Sequence, residues 1–226
     1  MKNNFIMKKV LFAVVLFVLS ASVYAQKDVT RFLGIPIDGS KSEMIRKLTA
    51  KGFEKDPYME DFLTGEFNGT DVKVAVVTNG NKVYRVFVAD ATPRSEGDII
   101  RRFNRLCRQF KENGKYLCLD DFTISDSEDV GYEMTVNNKR YEATYFQLPT
   151  DTATFYNEVR TTITDYYSQD ELKGMSEEER NNLLQDVSFD LLSKRMVWFM
   201  IGESYGSYRI QMFYDNKYNE ADGQDL

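Results

Sequence analysis

Phe62-Leu-Thr-Gly-Glu-Phe67-Asn68-Gly69-Thr70-Asp-Val72-Lys-Val-Ala-Val-Val-Thr78-Asn79-Gly80-Asn-Lys-Val83-Tyr-Arg-Val-Phe-Val88 holds three β-rich runs cut by two Asn-Gly dipeptides. Asn-Gly supplies the left-handed backbone that a tight hairpin needs, so the stretch reads as an antiparallel meander. Just upstream, Ser40-Lys-Ser-Glu43 has capping-box form. Met44, Ile45 and Leu48 follow at helical spacing until Gly52. The order is a helix, then a meander.

Downstream, Thr92-Pro93 opens a second helix, with threonine suited to the cap and proline to the first turn, running to Asn113 before Gly114. At about 100° per residue, Ile99, Phe103, Leu106, Cys107 and Phe110 share one face and Arg94, Arg101, Arg105 and Arg108 the other. The arginine stripe has two readings. It is a solvated face whose arginines pair with Asp98, Glu112 and other acids, or a docking face for a carboxylate, sulfate or acidic partner.

The pattern then returns in altered form. Val136 to Ala143 echoes Phe67 to Val74, and Tyr208-Arg-Ile-Gln-Met212 echoes Tyr84-Arg-Val-Phe-Val88, with Met196 to Ile201 as its partner strand. Chance similarity between hairpins explains these echoes about as well as a true repeat does. A true repeat would give the second unit a helical insertion over about 149–193. Ser176-Glu-Glu-Glu179 starts a helix there, its glutamates complementing the positive helix end. The expected fold is α+β, with helices packed on antiparallel sheet in two tandem helix-plus-meander units. The first spans 26–91 and the second 92–215, followed by a polar tail over 216–226. The alternative is one continuous sheet shared by both units.

Residues 1–25 have the layout of a cleaved secretory signal: Lys2, Lys8 and Lys9, the apolar run Val10–Leu19, and small residues closing on Val23-Tyr24-Ala25. The apolar run is shorter than the roughly 20 residues of a membrane span, and no cysteine follows for lipidation. The expectation is a soluble protein of the periplasm or the extracellular space, without membrane insertion after cleavage. The remaining 201 residues carry 26 basic and 35 acidic side chains, a net −9 against −6 for the whole chain. That balance argues against nucleic acid as a partner.

The chain contains no histidine. Ser-His-Asp and Cys-His catalysis, histidine-ligated zinc and histidine-held haem are thereby excluded. No phosphate-cradling or dinucleotide-binding glycine motif occurs, and no cofactor is expected. Carboxylate-pair chemistry survives, although spacing alone cannot place two carboxyls across a cleft. Asp126-Ser-Glu-Asp129 and Asp215 to Gly223 depart from EF-hand spacing, so they read as polar loops and no metal site is expected. Asn68-Gly69-Thr70 fits a glycosylation triplet, but a hairpin turn explains it.

In an exported chain Cys107 and Cys118 suggest one disulfide, since an extended return of about 13 Å from Gly114 brings Cys118 alongside Cys107. Such a link would add about 3 kcal/mol. Two buried free thiols are the alternative. Trp198 has apolar neighbours on both faces and reads as core, whereas the tyrosines of 205–214, Tyr205 and Tyr208 among them, suit a binding sheet face.

The twice-given order of helix, glycine-ended turn and antiparallel hairpins resembles β-lactamase-inhibitor-protein-like and BamE-like envelope modules. Tyr205 to Asn216 and the Ala25-Gln26 junction also look like those of exported proteins of Gram-negative gut-type bacteria. The resemblance implies non-enzymatic binding in the cell envelope, and it transfers no site residue. The leading expectation is therefore an exported binding module for a protein or peptide. The alternatives are a carboxylate-dependent glycan hydrolase and a structural or stress-protective envelope protein without a specific ligand.

Overall fold

A computed structural model describes residues 28–221. The signal expected over 1–25 and the last five residues of the tail lie outside the described residues. Six helices are present among them: α1 (Lys41–Thr49), α2 (Glu96–Glu112), α3 (Val130–Val136), α4 (Thr152–Tyr166), α5 (Gln169–Gly174) and α6 (Glu177–Ser193). A small hairpin of β1 (Arg31–Phe32) and β2 (Ile35–Pro36) precedes one large antiparallel sheet. Its strands are β3 (Glu54–Lys55), β4 (Phe62–Phe67), β5 (Thr70–Asn79), β6 (Lys82–Asp90), β7 (Tyr116–Leu117), β8 (Glu142–Gln147), β9 (Met196–Ser204) and β10 (Ser207–Asp215). The fold is α+β, as expected. No helix among the described residues is long and apolar enough to cross a membrane.

The spatial order β3-β4-β5-β6-β10-β9-β8-β7 runs through the first unit in chain order and the second in reverse. Each unit is a helix followed by four strands, and their last strands, β6 and β10, pair antiparallel from Arg85↔Asp215 to Ala89↔Gln211. An antiparallel pair has local two-fold symmetry, so the two halves are related by an approximate two-fold axis through this seam. The layout is the single continuous sheet of the two alternatives, with the tandem units as its halves.

Local chemistry accounts for the turns. Asn68 and Gly69, at φ 53° and 69°, make the expected β4–β5 turn. The β5–β6 loop is Gly80-Asn81, one residue later than Asn79-Gly80, because Asn79 pairs with Lys82. Asn137-Asn138 makes no hairpin. Residues 130–136 form α3, capped by the Asp129 side chain on the Tyr132 amide, and β8 occupies the place of β4 rather than β5. The insertion carrying α4–α6 therefore replaces the Asn68-Gly69 turn of the first half.

Helix α2 starts at the Ser95 cap, three residues after Thr92. Arg94 and Tyr208 exchange backbone hydrogen bonds of 2.8 and 3.1 Å, which holds the chain extended until Arg94 is passed. At α1, Ser40 caps the Glu43 amide, but the Glu43 carboxylate turns to Lys47 at 2.8 Å. At α6 both halves of the capping box form between Ser176 and Glu179.

Both helices α1 and α2 bury their apolar stripes on one sheet face. A row of inward residues crosses six strands: Leu63, Val74, Val88, Met212, Phe199 and Ala143. Met44 and Leu48 from α1 and Ile99, Phe103, Leu106 and Phe110 from α2 complete one core spanning both halves. Each such side chain contributes roughly 1.5–3 kcal/mol by burial. A satellite cluster of Val159, Ile163 and Leu191 holds the insertion together.

The described chain ends are tied down by polar contacts. Asp28 and Arg195, 8 % and 1 % exposed, form a buried ion pair at 2.8 Å, and Asp28 also accepts from the Thr150 amide and hydroxyl. Asn216, the first residue of the expected tail, is fully buried, its side chain donating to the Ile37 carbonyl at 2.7 Å. Burial works to raise the Asp28 pKa, but Arg195 and the Thr150 donors outweigh it and hold the carboxyl below its ordinary 3.8. The pair's stabilisation is thus fully present above that value and lost as pH falls through the lower folded-state pKa. Asp28→Ala, which leaves Arg195 buried and unpaired, is expected to cost about 3–5 kcal/mol in urea denaturation between about pH 5 and 7, the gap to wild type narrowing below pH 3.8.

Candidate functional site

The face of the sheet opposite α1 and α2 carries a second row across the same six strands: Phe62, Ala75, Phe87, Phe213, Trp198 and Thr144. All six are half-buried. Alternation along each strand puts them there, because their neighbours Leu63, Val74, Val88, Met212, Phe199 and Ala143 point inward. Phe87 lies 6.3 Å from Phe62 and 5.2 Å from Phe213, and Phe213 stacks on Trp198 at 4.0 Å with 13° between ring planes. Such aromatic pairs add about 0.5–1.5 kcal/mol each to the burial term and stiffen the row.

One fixed charge pair lies beside the middle of this row, two residues along β6 and β10 from Phe87 and Phe213. Arg85 grips Asp215 through two hydrogen bonds of 2.6 and 2.8 Å, and the Trp198 indole N–H donates to Asp215 Oδ2 at 2.9 Å. The guanidinium carbon lies 5.1 Å from the Phe213 ring centre and 5.8 Å from that of Trp198. Asp215 is nearly buried and fully engaged, which leaves Arg85 as the partly exposed group. Two residues along β8 from Thr144, Phe146 is covered by Phe189 of α6 at 5.4 Å, so the insertion closes over that flank of the face.

The tyrosines expected on this face lie elsewhere. Tyr208 is 6 % exposed on the helix side, where it packs near Gly131, and Tyr214 and Tyr145 are core residues too. The reason is parity: the Arg94–Tyr208 bridge and the β6–β10 register turn the even-numbered residues of β10 inward. Trp198, read as core, is half-buried on the outer face. Tyr205 is fully exposed at the tip of the β9–β10 hairpin in a left-handed conformation, φ 51°, which is strained for a bulky side chain.

The arginine stripe forms only in part. Arg101, Arg105 and Arg108 are exposed on the outward side of α2, with Arg101 spent on Asp98 at 2.6 Å. Arg94, outside the helix, binds Asp90 at 3.2 Å. Asp90 also holds the buried Arg102 at 3.3 Å, a pairing that spacing alone did not single out. The outer face of α2 and the aromatic row lie on opposite sides of the sheet, so one flat partner cannot cover both.

A cavity of about 1460 Å³ opens on the helix side, between α2, the β1–β2 hairpin and the insertion. Leu106, Phe110, Phe67, Met212 and Phe155 are part of its apolar lining, and Tyr116, Tyr214 and Gln147 supply polar groups. Burial raises the Tyr116 and Tyr214 pKa values, so both hydroxyls stay protonated and hydrogen-bond one another. Glu66 is the one carboxylate among the lining residues, so the cavity lacks the facing carboxyl pair that glycoside hydrolysis requires.

The expected disulfide is not formed: Cys107 and Cys118 are free thiols. Helix α2 turns Cys107 into the core, where it is hydrogen-bonded with Tyr145. The return strand β7 ends at Leu117, and the Cys118 thiol donates to the Asp120 carbonyl at 3.0 Å.

A scan against protein-family models, a search of curated proteins and a search of solved structures each find no match to this chain. Burial pushes the Cys107 thiol up to about 11, whereas Cys118 is partly exposed. Alkylation without reductant is expected to label Cys118 in the native protein and Cys107 only after unfolding, giving two labelled thiols by mass.

Proposed function

We propose that this protein is an exported, non-enzymatic binding module of the cell envelope that recognises a protein or peptide through the outer face of its sheet. The observation that carries the reading is the continuous row Phe62, Ala75, Phe87, Phe213, Trp198 and Thr144, half-exposed on a rigid sheet and edged by Arg85. Aromatic side chains and arginine dominate binding energy at protein interfaces, and they cost least in entropy when already immobilised. Here stacking and the Asp215 fork immobilise them before any partner arrives. The single carboxylate of the large cavity favours binding over the glycan hydrolase reading, which needs two facing carboxyls.

The signal layout of residues 1–25 supports the export part of this reading. The arginines of α2 drop out of this reading, because they face away from the row. Affinity capture from envelope extract tests it. The variant carrying Phe87→Ser and Phe213→Ser should retain its partner at least ~10-fold less well than wild type, while the variant carrying Arg101→Glu and Arg105→Glu retains it unchanged. Loss in the helix variant with full retention in the sheet variant would move the site to α2.

A further inference from the structure

We propose that the cavity beside α2 binds an anionic amphiphile with a long acyl chain, its carboxylate held by Arg31 and Lys115. The site is separate from the outer sheet face and stands or falls independently of it.

The cavity volume, about 1460 Å³, exceeds the roughly 300–1,000 Å³ of sites for drug-sized molecules. Its floor is the packed core at Leu106 and Met212, and the apolar side chains that present accessible surface to it are Leu33, Phe67, Leu148 and Phe155, which offer water few partners. An acyl chain satisfies them. A sugar would press hydroxyls against Phe67 and Phe155, whose rings offer them no hydrogen-bond partner.

The cations gather at one end. The Arg31 amide donates to Gln147 Oε1 at 2.7 Å and Gln147 Nε2 donates back to the Arg31 carbonyl at 3.1 Å. The Leu148 amide donates to the Lys115 carbonyl at 2.8 Å. Arg31 and Lys115 are thus tied to the adjacent residues Gln147 and Leu148, and both line the cavity.

Neither cation is fully engaged: Arg31 has one long ion pair and Lys115 has none among the described residues. The carboxylate near Arg31 is Asp28 at 3.9 Å, already committed to Arg195 at 2.8 Å and to Thr150. Arg31 Nε is buried without a hydrogen-bond partner, and Lys115 makes no ion pair among the described residues. On a chain with net charge −6, Arg31, held only by its long pair with Asp28, and Lys115 outnumber the single lining carboxylate of Glu66 and give a cationic rim fitted to a carboxylate.

The test is calorimetric titration of the delipidated mature protein with palmitate, methyl palmitate and an aspartate-terminated apolar peptide, each below its aggregation limit. Palmitate is expected to bind at least ~10-fold more tightly than its ester, a preference that should vanish in the variant carrying Arg31→Gln and Lys115→Gln. Ser188→Trp, which fills the cavity mouth, should weaken acid and ester alike without lowering the melting temperature. Equal binding of acid and ester by the unaltered protein, no binding of either, or tighter binding of the peptide than of palmitate would overturn the proposal. The acid–ester comparison needs no variant and so does not depend on any substitution folding.

Discussion

The antiparallel pairing of β6 with β10 is the contact through which the rest of the molecule is organised. It joins two four-stranded halves at their longest exposed edges, and it aligns Val88 with Met212 on one face and Phe87 with Phe213 on the other. Both six-residue rows cross this seam. A slip of one residue would exchange them, putting Met212 and Tyr214 outside and Phe213 over the core. The seam also leaves the least hazardous edges at the rims, since β3 and β7 are two residues long and β3 is Glu54-Lys55.

Much of the fold could be read from local sequence, because much of it is local. Asn68-Gly69, the buried stripe of α2 and the Ser176–Glu179 box each depend on residues a few positions apart, and each forms as the pattern says. Features decided across the seam could not be read this way. Tyr208 turns inward because of its register with β6 and its bridge to Arg94, and Asp28 meets Arg195 across 167 positions. The outer row did leave a trace: β9 is apolar on both alternating faces, Val197, Phe199 and Ile201 inward and Met196, Trp198 and Met200 outward, which is more than one core requires. The cavity left none, since its lining comes from six separated segments.

The molecule has two dissimilar sides. The helix side carries the arginines of α2 and the mouth of the cavity, while the sheet side is aromatic with the Arg85–Asp215 pair beside the row. The insertion belongs to both. Phe189 of α6 covers Phe146 on the sheet side, and Phe155 of α4 lines the cavity. A shift of this segment, held by the small cluster of Val159, Ile163 and Leu191, would alter both surfaces together.

The described chain enters and leaves at one corner. The Thr30 hydroxyl donates to the Asp215 carbonyl, Asn216 reaches Ile37, and Asn219 reaches Asp38. The backbone is therefore nearly a closed ring, and a short linker between its two ends would leave every strand pairing in place. The exposed tip at Tyr205-Gly206 then becomes a natural place to open the ring, so the order of elements along the chain is separable from their arrangement in space.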